Sequence, residues 1–205
     1  MDNNAYLLSC RATGAQLLVD AAAEPDRLLA LTHDGSPDGR VDVVVTTHAH
    51  RDHLGALAAV AHATGALTAA GADDAAAVTA ATGIPVRRPL RHGDSVRFGD
   101  LELAVVALRG HTPGSVALAY TEPDGTQAPD ARPGRTHLFT GDSLFPGGVG
   151  NTQGDPVRFA QLYDDVVARL FEVYPDDTTV RPGHGRPTTL GTERPHLGEW
   201  LGRGW

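Results

Sequence analysis

Short apolar runs, many of them rich in β-branched residues, alternate along the chain with Ala- and Leu-rich segments of helical period. Alternation of this kind favours an α/β (α+β) protein in which sheets are covered by helices. The run at residues 41–46, which is apolar except for Asp42 and Thr46, is typical of a strand that is buried on both faces. The other predicted strands lie at residues 6–10, 16–20, 86–89, 95–98, 101–107, 115–120, 137–140 and 178–181. Helices are predicted at residues 25–31, 54–64, 73–82 and 158–173.

One segment of the chain has a different composition. Residues 122–135 are rich in Gly, Pro and Asp and predict an exposed loop, and they are too few to separate two domains. The whole chain has 205 residues, of which 41% are apolar, enough for one ordinary core. We therefore expect a single domain that spans residues 1–205.

Charge and composition narrow the class of partner. The chain has 25 acidic and 17 basic residues and a formal charge of -8, and its basic residues do not cluster, so a nucleic acid partner is not expected. No run predicts a membrane span, and the N-terminus lacks the pattern of a secretory signal, so a cytoplasmic protein is expected. Cys10 is the only cysteine, which excludes an intrachain disulfide, and we assign it no catalytic role.

Four residues that can bind metal lie within six positions, 48–53, shortly after the apolar strand at residues 41–46. In an extended segment residues two apart point the same way, so His48 and His50 can bind one metal together. The chain then turns into a helix, so Asp52 and His53 can face a second metal nearby. Structural zinc sites usually contain Cys, whereas His and carboxylate ligands are typical of catalytic sites. The cluster therefore favours a catalytic metal.

Three further ligand-type residues follow predicted strands later in the chain. His111, Asp142 and His184 each come directly after a glycine. Glycine permits a sharp turn and a close approach of the backbone to a bound ion. Two divalent ions held by His and carboxylate groups suit zinc best, with iron or manganese as the alternatives.

The order of these motifs resembles a known family. The chain contains His-x-His-x-Asp-His from His48, then Gly-His-Thr-Pro-Gly-Ser from Gly110, Thr-Gly-Asp-Ser-Leu-Phe from Thr140, and Pro-Gly-His-Gly from Pro182. This set is similar to the metallo-β-lactamase superfamily from about residue 6 to residue 194, and most similar to its short glyoxalase II-like group. The resemblance implies a four-layer αβ/βα sandwich with the metals at one edge between two sheets.

The resemblance also implies a role for each motif residue. The first metal would be held by His48, His50 and His111, and the second by Asp52, His53 and His184. Asp142 would bridge the two metals, and Asp20 would position the ligand loop through hydrogen bonds. The remaining histidines match no motif and are expected to be structural.

These roles predict a hydrolase with a small-molecule substrate. Two bound ions would activate a water between them as the hydroxide that attacks a thioester carbonyl, with Asp52 and Asp142 orienting it and accepting its proton. Phe145 and Asn151 follow Asp142 and are the expected wall of the substrate pocket. The similar short proteins commonly carry Gly-Arg-Thr where this chain has Asn151 at the middle position, so a thiol carrier other than glutathione is an alternative. Mycothiol would fit the composition, which has no Lys and is rich in Ala, Gly and Pro, as in proteins from a high-GC genome.

Other functions stay open at this point. A lactonase or another ester hydrolase would use the same two metals. A persulfide dioxygenase would share much of the motif set but use one iron. A non-catalytic metal-binding module is a further alternative, disfavoured because all seven ligand positions are filled. Hydrolysis of β-lactams is disfavoured because many relatives with that activity have Cys where this chain has Asp142.

Overall fold

The computed structural model describes residues 3–126 and 130–204 and has two sheets at its centre. The first sheet has five strands in the order β1-β2-β3-β4-β5. Its strands are β1 (Tyr6–Ser9), β2 (Gln16–Val19), β3 (Val43–Thr46), β4 (Leu67–Gly71) and β5 (Arg88–Leu90). Strands β2 to β5 run parallel, and β1 pairs antiparallel at the edge. The carboxyl ends of the parallel strands therefore meet at one edge of this sheet.

The second sheet has six strands and is mainly antiparallel. Its strands in chain order are β6 (Ser95–Phe98), β7 (Leu101–Ala107), β8 (Val116–Thr121), β9 (Thr136–Gly141), β12 (Thr179–Pro182) and β13 (Thr188–Thr189). A separate hairpin of β10 (Leu144–Phe145) and β11 (Gly148–Val149) follows β9. The sheet order is β13-β12-β9-β8-β7-β6, and β12 pairs parallel with β9.

Helices cover the outer face of each sheet. The first sheet packs against α1 (Pro25–Gly35), α2 (Leu57–Thr64) and α3 (Ala75–Thr82). The second packs against α4 (Pro156–Val166), a π-helical turn (Val167–Phe171), α5 (Leu190–Glu193) and α6 (Leu197–Arg203). Within the described residues, no helix has both the length and the apolar character needed to cross a membrane.

Alternation along the strands produces three apolar cores. Leu17 in β2 and Leu118 in β8 point into the core between the two sheets. Their neighbours Leu18 and Ala117 point outward, to the helices that cover each sheet. Burial of each of these leucine side chains contributes about 1.5–3 kcal/mol to the free energy of unfolding. Helices, sheet, sheet and helices thus form four layers, and the αβ/βα sandwich expected from the sequence is confirmed.

The helix boundaries differ from those expected. The helix predicted at residues 54–64 begins at Leu57, because residues Arg51–His53 form a 3-10 turn first. The helix predicted at residues 158–173 is α4 followed by the π-helical turn. Apolar periodicity does not separate these helix types, since all of them place one face of the chain on the core.

The segment predicted as an exposed loop is anchored at its base. Residues 127–129 lie outside the described residues. Glu122 is buried, and it accepts hydrogen bonds from His137 Nε2 at 2.7 Å and from Arg135 Nε at 2.7 Å. Burial alone would raise the pKa of Glu122, but these hydrogen bonds outweigh it and lower the pKa to about 2. The expectation of exposure is therefore wrong at Glu122, because the hydrogen bonds from Arg135 and His137 stabilise its charge.

Candidate metal centre

The candidate site lies where strands of both sheets end. Asp20 follows β2, the segment from Thr47 to His53 follows β3, and Asp142 follows β9. His184 follows β12, and His111 lies in the loop between β7 and β8. A hydrogen bond from Val116 N to Thr47 O, 2.9 Å long, joins the two sheets beside the site. Side chains that are distant along the chain are therefore brought to one edge of the sandwich.

Three histidines form the first group of possible ligands. His48 Nε2 lies 3.1 Å from His50 Nδ1, and His111 Nε2 lies 2.9 Å from the same His50 nitrogen. One ligand atom from each of the three residues lies within 4.8 Å of the others. Ligands about 2.0–2.1 Å from one zinc ion have separations of this size.

A second group combines Asp52, His53 and His184. Asp52 Oδ2 lies 3.2 Å from His184 Nε2 and 3.8 Å from His53 Nε2. The three ligand atoms again lie within 4.8 Å of one another. The group is more accessible than the first, since the side chains of Asp52 and His184 are 24% and 32% exposed.

Asp142 lies between the two groups. Its Oδ2 is 3.9 Å from His48 Nε2, 3.7 Å from His111 Nε2 and 3.5 Å from His184 Nε2. Its Oδ1 is 3.4 Å from His53 Nε2, and this buried oxygen has no hydrogen-bond partner in the described part of the chain. A buried carboxylate oxygen aimed at imidazole nitrogens fits a bound cation. The donor set is therefore suited to a pair of divalent ions.

Asp20 forms hydrogen bonds with the loop that carries the candidate ligands. Asp20 Oδ1 accepts a hydrogen bond from Thr47 N at 2.7 Å, and Oδ2 accepts one from Thr47 Oγ1 at 2.8 Å. His53 Nδ1 lies 2.8 Å from the same Oδ2 and donates to it in the tautomer that leaves Nε2 free for a metal. These contacts support a positioning role for Asp20.

Burial and nearby carboxylates shift the histidine pKa values in opposite directions. Burial lowers the pKa of His48 and of His111, so both rings are neutral at pH 7 and present a lone pair to a cation. Burial also opposes the charged form of His53, but the carboxylates of Asp142 and Asp20 outweigh it and raise the pKa to about 10. A cation that binds to His53 therefore displaces a proton.

Glycine permits the close approach of these loops. A Cβ atom on Gly183 would lie 2.3 Å from Asp142 Oδ1 and 2.7 Å from His53 Cε1. Gly141 has a φ of 49°, and a Cβ there would lie 2.4 Å from Thr47 Oγ1. Any larger residue at either position would push a ligand or its support away from the site.

Asp74 is a contributor that the sequence analysis missed. Its Oδ2 accepts hydrogen bonds from Ala49 N at 3.0 Å and from Thr112 Oγ1 at 2.6 Å. Its Oδ1 accepts from Gly114 N at 2.8 Å. Asp74 thus ties the loop of His48 and His50 to the loop of His111. Its place shortly after β4, beside β3 in the parallel sheet, was a signal that could have found it.

The two residues expected to line a substrate pocket lie beyond Asp142. Phe145 is half-buried in β10, and the side chain of Asn151 is exposed. The backbone carbonyl of Asn151 lies 2.8 Å from His111 Nδ1 and can accept its proton, which orients that ring. A contact with substrate stays a prediction for both residues.

Replacing Asp20 with Asn is expected to weaken binding of the second metal about 10- to 100-fold, because the amide no longer holds His53 with a charged acceptor. Asn tolerates the left-handed backbone of Asp20, whose φ is 56°, so the fold should persist. Competition with a chelating dye would measure the affinity. Asp42→Asn is the matched control, since Asp42 accepts from Gln16 N at the opposite end of the sheet. Equal loss in both variants would contradict a local role.

Comparison with known proteins places this fold and site in one family. The family model described as the metallo-beta-lactamase superfamily matches residues 1–126, more than half of the 205-residue chain. The chain belongs to the metallo-beta-lactamase superfamily. Its curated relatives include proteins named hydroxyacylglutathione hydrolase. The one from Anaeromyxobacter dehalogenans is 37% identical over 185 residues, which cover 89% of this chain and 61% of the relative. The chain thus spans about three fifths of that relative's length.

Solved structures are similar over almost the whole chain. ETHE1 from Myxococcus xanthus superposes with a TM-score of 0.77 at 30% identity, covering 98% of this chain and 80% of that protein. TTHA1623, solved in a di-iron-bound form, has a TM-score of 0.64 at 32% identity and covers 94% of this chain and 92% of its own. The family fold together with the His and Asp clusters indicates that the chain binds divalent metal.

Proposed function

We propose that this protein is a dinuclear metal-dependent hydrolase that cleaves a small-molecule thioester. The position of Asp142 supports the proposal most strongly. Its carboxylate lies 3.4 to 3.9 Å from ring nitrogens that belong to both ligand groups. A pair of cations requires a carboxylate that is shared between them, whereas a single ion does not.

The proposed cofactor is two Zn²⁺, with iron or manganese as alternatives. All seven proposed ligands are His or Asp, a set that zinc, iron and manganese accept. The di-iron form of TTHA1623 supports iron as the first alternative. When bound, such ions would supply Lewis acidity and would lower the pKa of a coordinated water to about 7.

The chain's own carboxylates have the proton-transfer roles. Burial works against ionisation of Asp52, but its hydrogen bond from Asn3 outweighs this and lowers the pKa, so Asp52 is an ionised acceptor at pH 7. Asp142 lies between the two groups, and its Oδ2, like that of Asp52, is close to His184 Nε2. We propose that these two carboxylates orient the attacking water, accept its proton and return it to the departing thiolate.

A thioester is the proposed substrate for two reasons. Curated relatives are named hydroxyacylglutathione hydrolase, although the chain spans only about three fifths of their length. A thiolate, with a pKa of about 8.5, is also a better leaving group than an alkoxide, so the reaction needs little help at the leaving atom. Phe145 and Asn151 are the proposed wall of the acyl or thiol pocket, and the thiol carrier is not restricted to glutathione.

The likeness to ETHE1 supports a second candidate, a persulfide dioxygenase with one iron. The hydrolase is favoured because the second group, Asp52, His53 and His184, is complete and lies beside the first. A mononuclear enzyme has no chemical need for three further ligand atoms within 4.8 Å of one another. A lactonase would use the same centre on a ring ester, so only its substrate separates it from the proposed enzyme.

Metal content and substrate preference test the proposal together. The purified protein would be analysed for metal per chain and assayed with a hydroxyacyl thioester of glutathione, the same acyl group on a smaller thiol, a lactone and a persulfide. We expect two metals per chain and faster hydrolysis of a thioester than of the lactone. One iron per chain with oxygen uptake on the persulfide would overturn the proposal in favour of the dioxygenase.

A further inference from the structure

The second group of ligand atoms has a neighbour from the other end of the chain. Asn3 Nδ2 lies 3.0 Å from Asp52 Oδ2, 3.4 Å from His53 Nε2 and 3.3 Å from His184 Nε2. These separations match those between the ligand atoms themselves, 3.2 and 3.8 Å from Asp52 Oδ2. The Asn3 amide therefore lies against one face of the group formed by Asp52, His53 and His184, and its side-chain hydrogen bonds found in the described residues go to that group.

The backbone around Asn3 is held in place by the loop that carries His184. Asn3 and His184 form an antiparallel bridge, and Asn4 N donates to Gly183 O at 2.7 Å. The Asn4 side chain donates to Gly185 O at 2.9 Å, and Tyr6 Oη donates to a carbonyl of the same loop at 2.7 Å. The Asn3 side chain is thus presented to the ligands by a fixed segment.

Each ligand of the second group has its own support. His53 is bonded through Nδ1 to Asp20 at 2.8 Å, and His184 is held by its backbone bridge to Asn3. Asp52 Oδ2 lies 3.2 Å from His184 Nε2, and the amide donor to this oxygen is Asn3 Nδ2 at 3.0 Å. Since the Asp52 side chain is 24% exposed, without that donor it has room to rotate toward solvent.

We propose that Asn3 is a positioning residue for the second metal: its amide holds the Asp52 carboxylate in the ligating orientation and thereby sets how tightly that metal is bound. The inference rests on the dinuclear centre of the proposed function. It assigns Asn3 no contact with the first group. Loss of the Asn3 amide should therefore weaken one metal and spare the other.

Metal titration of Asn3→Leu tests this inference without an activity assay. Leu has nearly the shape of Asn but no donor, so the segment should still pack. The protein would be stripped of metal and titrated with Co²⁺ against a chelating dye, with the visible spectrum recorded at each equivalent. We expect the first equivalent to bind as in the unchanged protein and the second about 10- to 100-fold more weakly. The visible absorption band that appears with the second equivalent of Co²⁺ should therefore appear at a correspondingly higher Co²⁺ concentration.

Tyr6→Phe is the matched control, because it loosens the same segment by one hydrogen bond but leaves Asn3 in place. It should keep both equivalents at their normal affinity. Asn3→Leu with an unchanged second equivalent would overturn the inference while leaving the dinuclear hydrolase intact. Equal weakening by Asn3→Leu and Tyr6→Phe would also overturn it, in favour of a purely structural role. An unchanged protein that binds only one equivalent would overturn both proposals.

Discussion

Replacing Asp142 with Asn is expected to lower kcat for thioester hydrolysis by about 1,000-fold or more while the fold survives. Asn has the same shape but no charge, and it places an amide nitrogen where a cation needs an oxygen. Both ligand groups are affected, since Asp142 lies 3.7 Å from His111 Nε2 and 3.4 Å from His53 Nε2. The substitution should lower kcat more than it raises KM, because the charge of Asp142 is needed in the reaction more than in substrate binding.

The measurement is steady-state kinetics in parallel with metal content and far-UV circular dichroism. Asp38→Asn is a control that makes the same change in net charge at an exposed position, and it should retain full activity. If kcat of Asp142→Asn stays within 10-fold of that of the unchanged protein, a bridging role is ruled out, because loss of a charged ligand shared by both groups should lower kcat by much more. Loss of the circular dichroism signal would instead show that Asp142 is needed for folding, and would contradict the expected result.

Local sequence patterns predicted most of the fold because the strands are short apolar runs. In β2, Leu17 and Val19 face one core and Leu18 faces another, so both faces of the strand are apolar and the sequence shows a continuous run. The C-terminal helices α5 and α6 were not predicted. Their seven or fewer residues are too short to show a helical period, and tertiary contacts such as that of buried Trp200 stabilise them.

The candidate ligands could be predicted because each lies in a short motif after a strand. His48 and His50 needed only the period of two, and His111 and His184 needed the order of motifs along the chain. Asn3 has no such motif. Its contact with His184 spans 181 positions, and only the pairing of the N-terminal segment with the β12 loop brings the two together.

The supporting residues also show how the site depends on contacts between distant segments of the chain. Asp20 follows a strand of the first sheet and fixes His53, while the carbonyl of Asn151, after β11, lies against His111. Neither contact can be read from spacing, because each joins segments that are 33 or 40 positions apart. The chain therefore specifies ligands locally and their orientation through tertiary structure.

Replacing Asp74 with Ala is expected to lower the free energy of unfolding by about 3–5 kcal/mol and to weaken binding of the first metal. Asp74 is only 2% exposed and accepts three hydrogen bonds, so its removal leaves buried donors without partners. Those donors belong to the loops that carry His50 and His111, which should then separate. The first metal should bind about 10- to 100-fold more weakly, because ligands that lose their supporting contacts lose affinity to this extent.

Urea unfolding and chelator competition would measure the two effects in one preparation. Thr112→Val is the matched control, since it removes only the hydroxyl that donates to Asp74 Oδ2 at 2.6 Å and leaves the two backbone donors satisfied. It should cost about 1–2 kcal/mol and leave metal affinity nearly unchanged. If Asp74→Ala unfolds at lower urea but binds the first metal normally, Asp74 supports the fold alone. The link between the two loops would then not be what orders the first group of histidines.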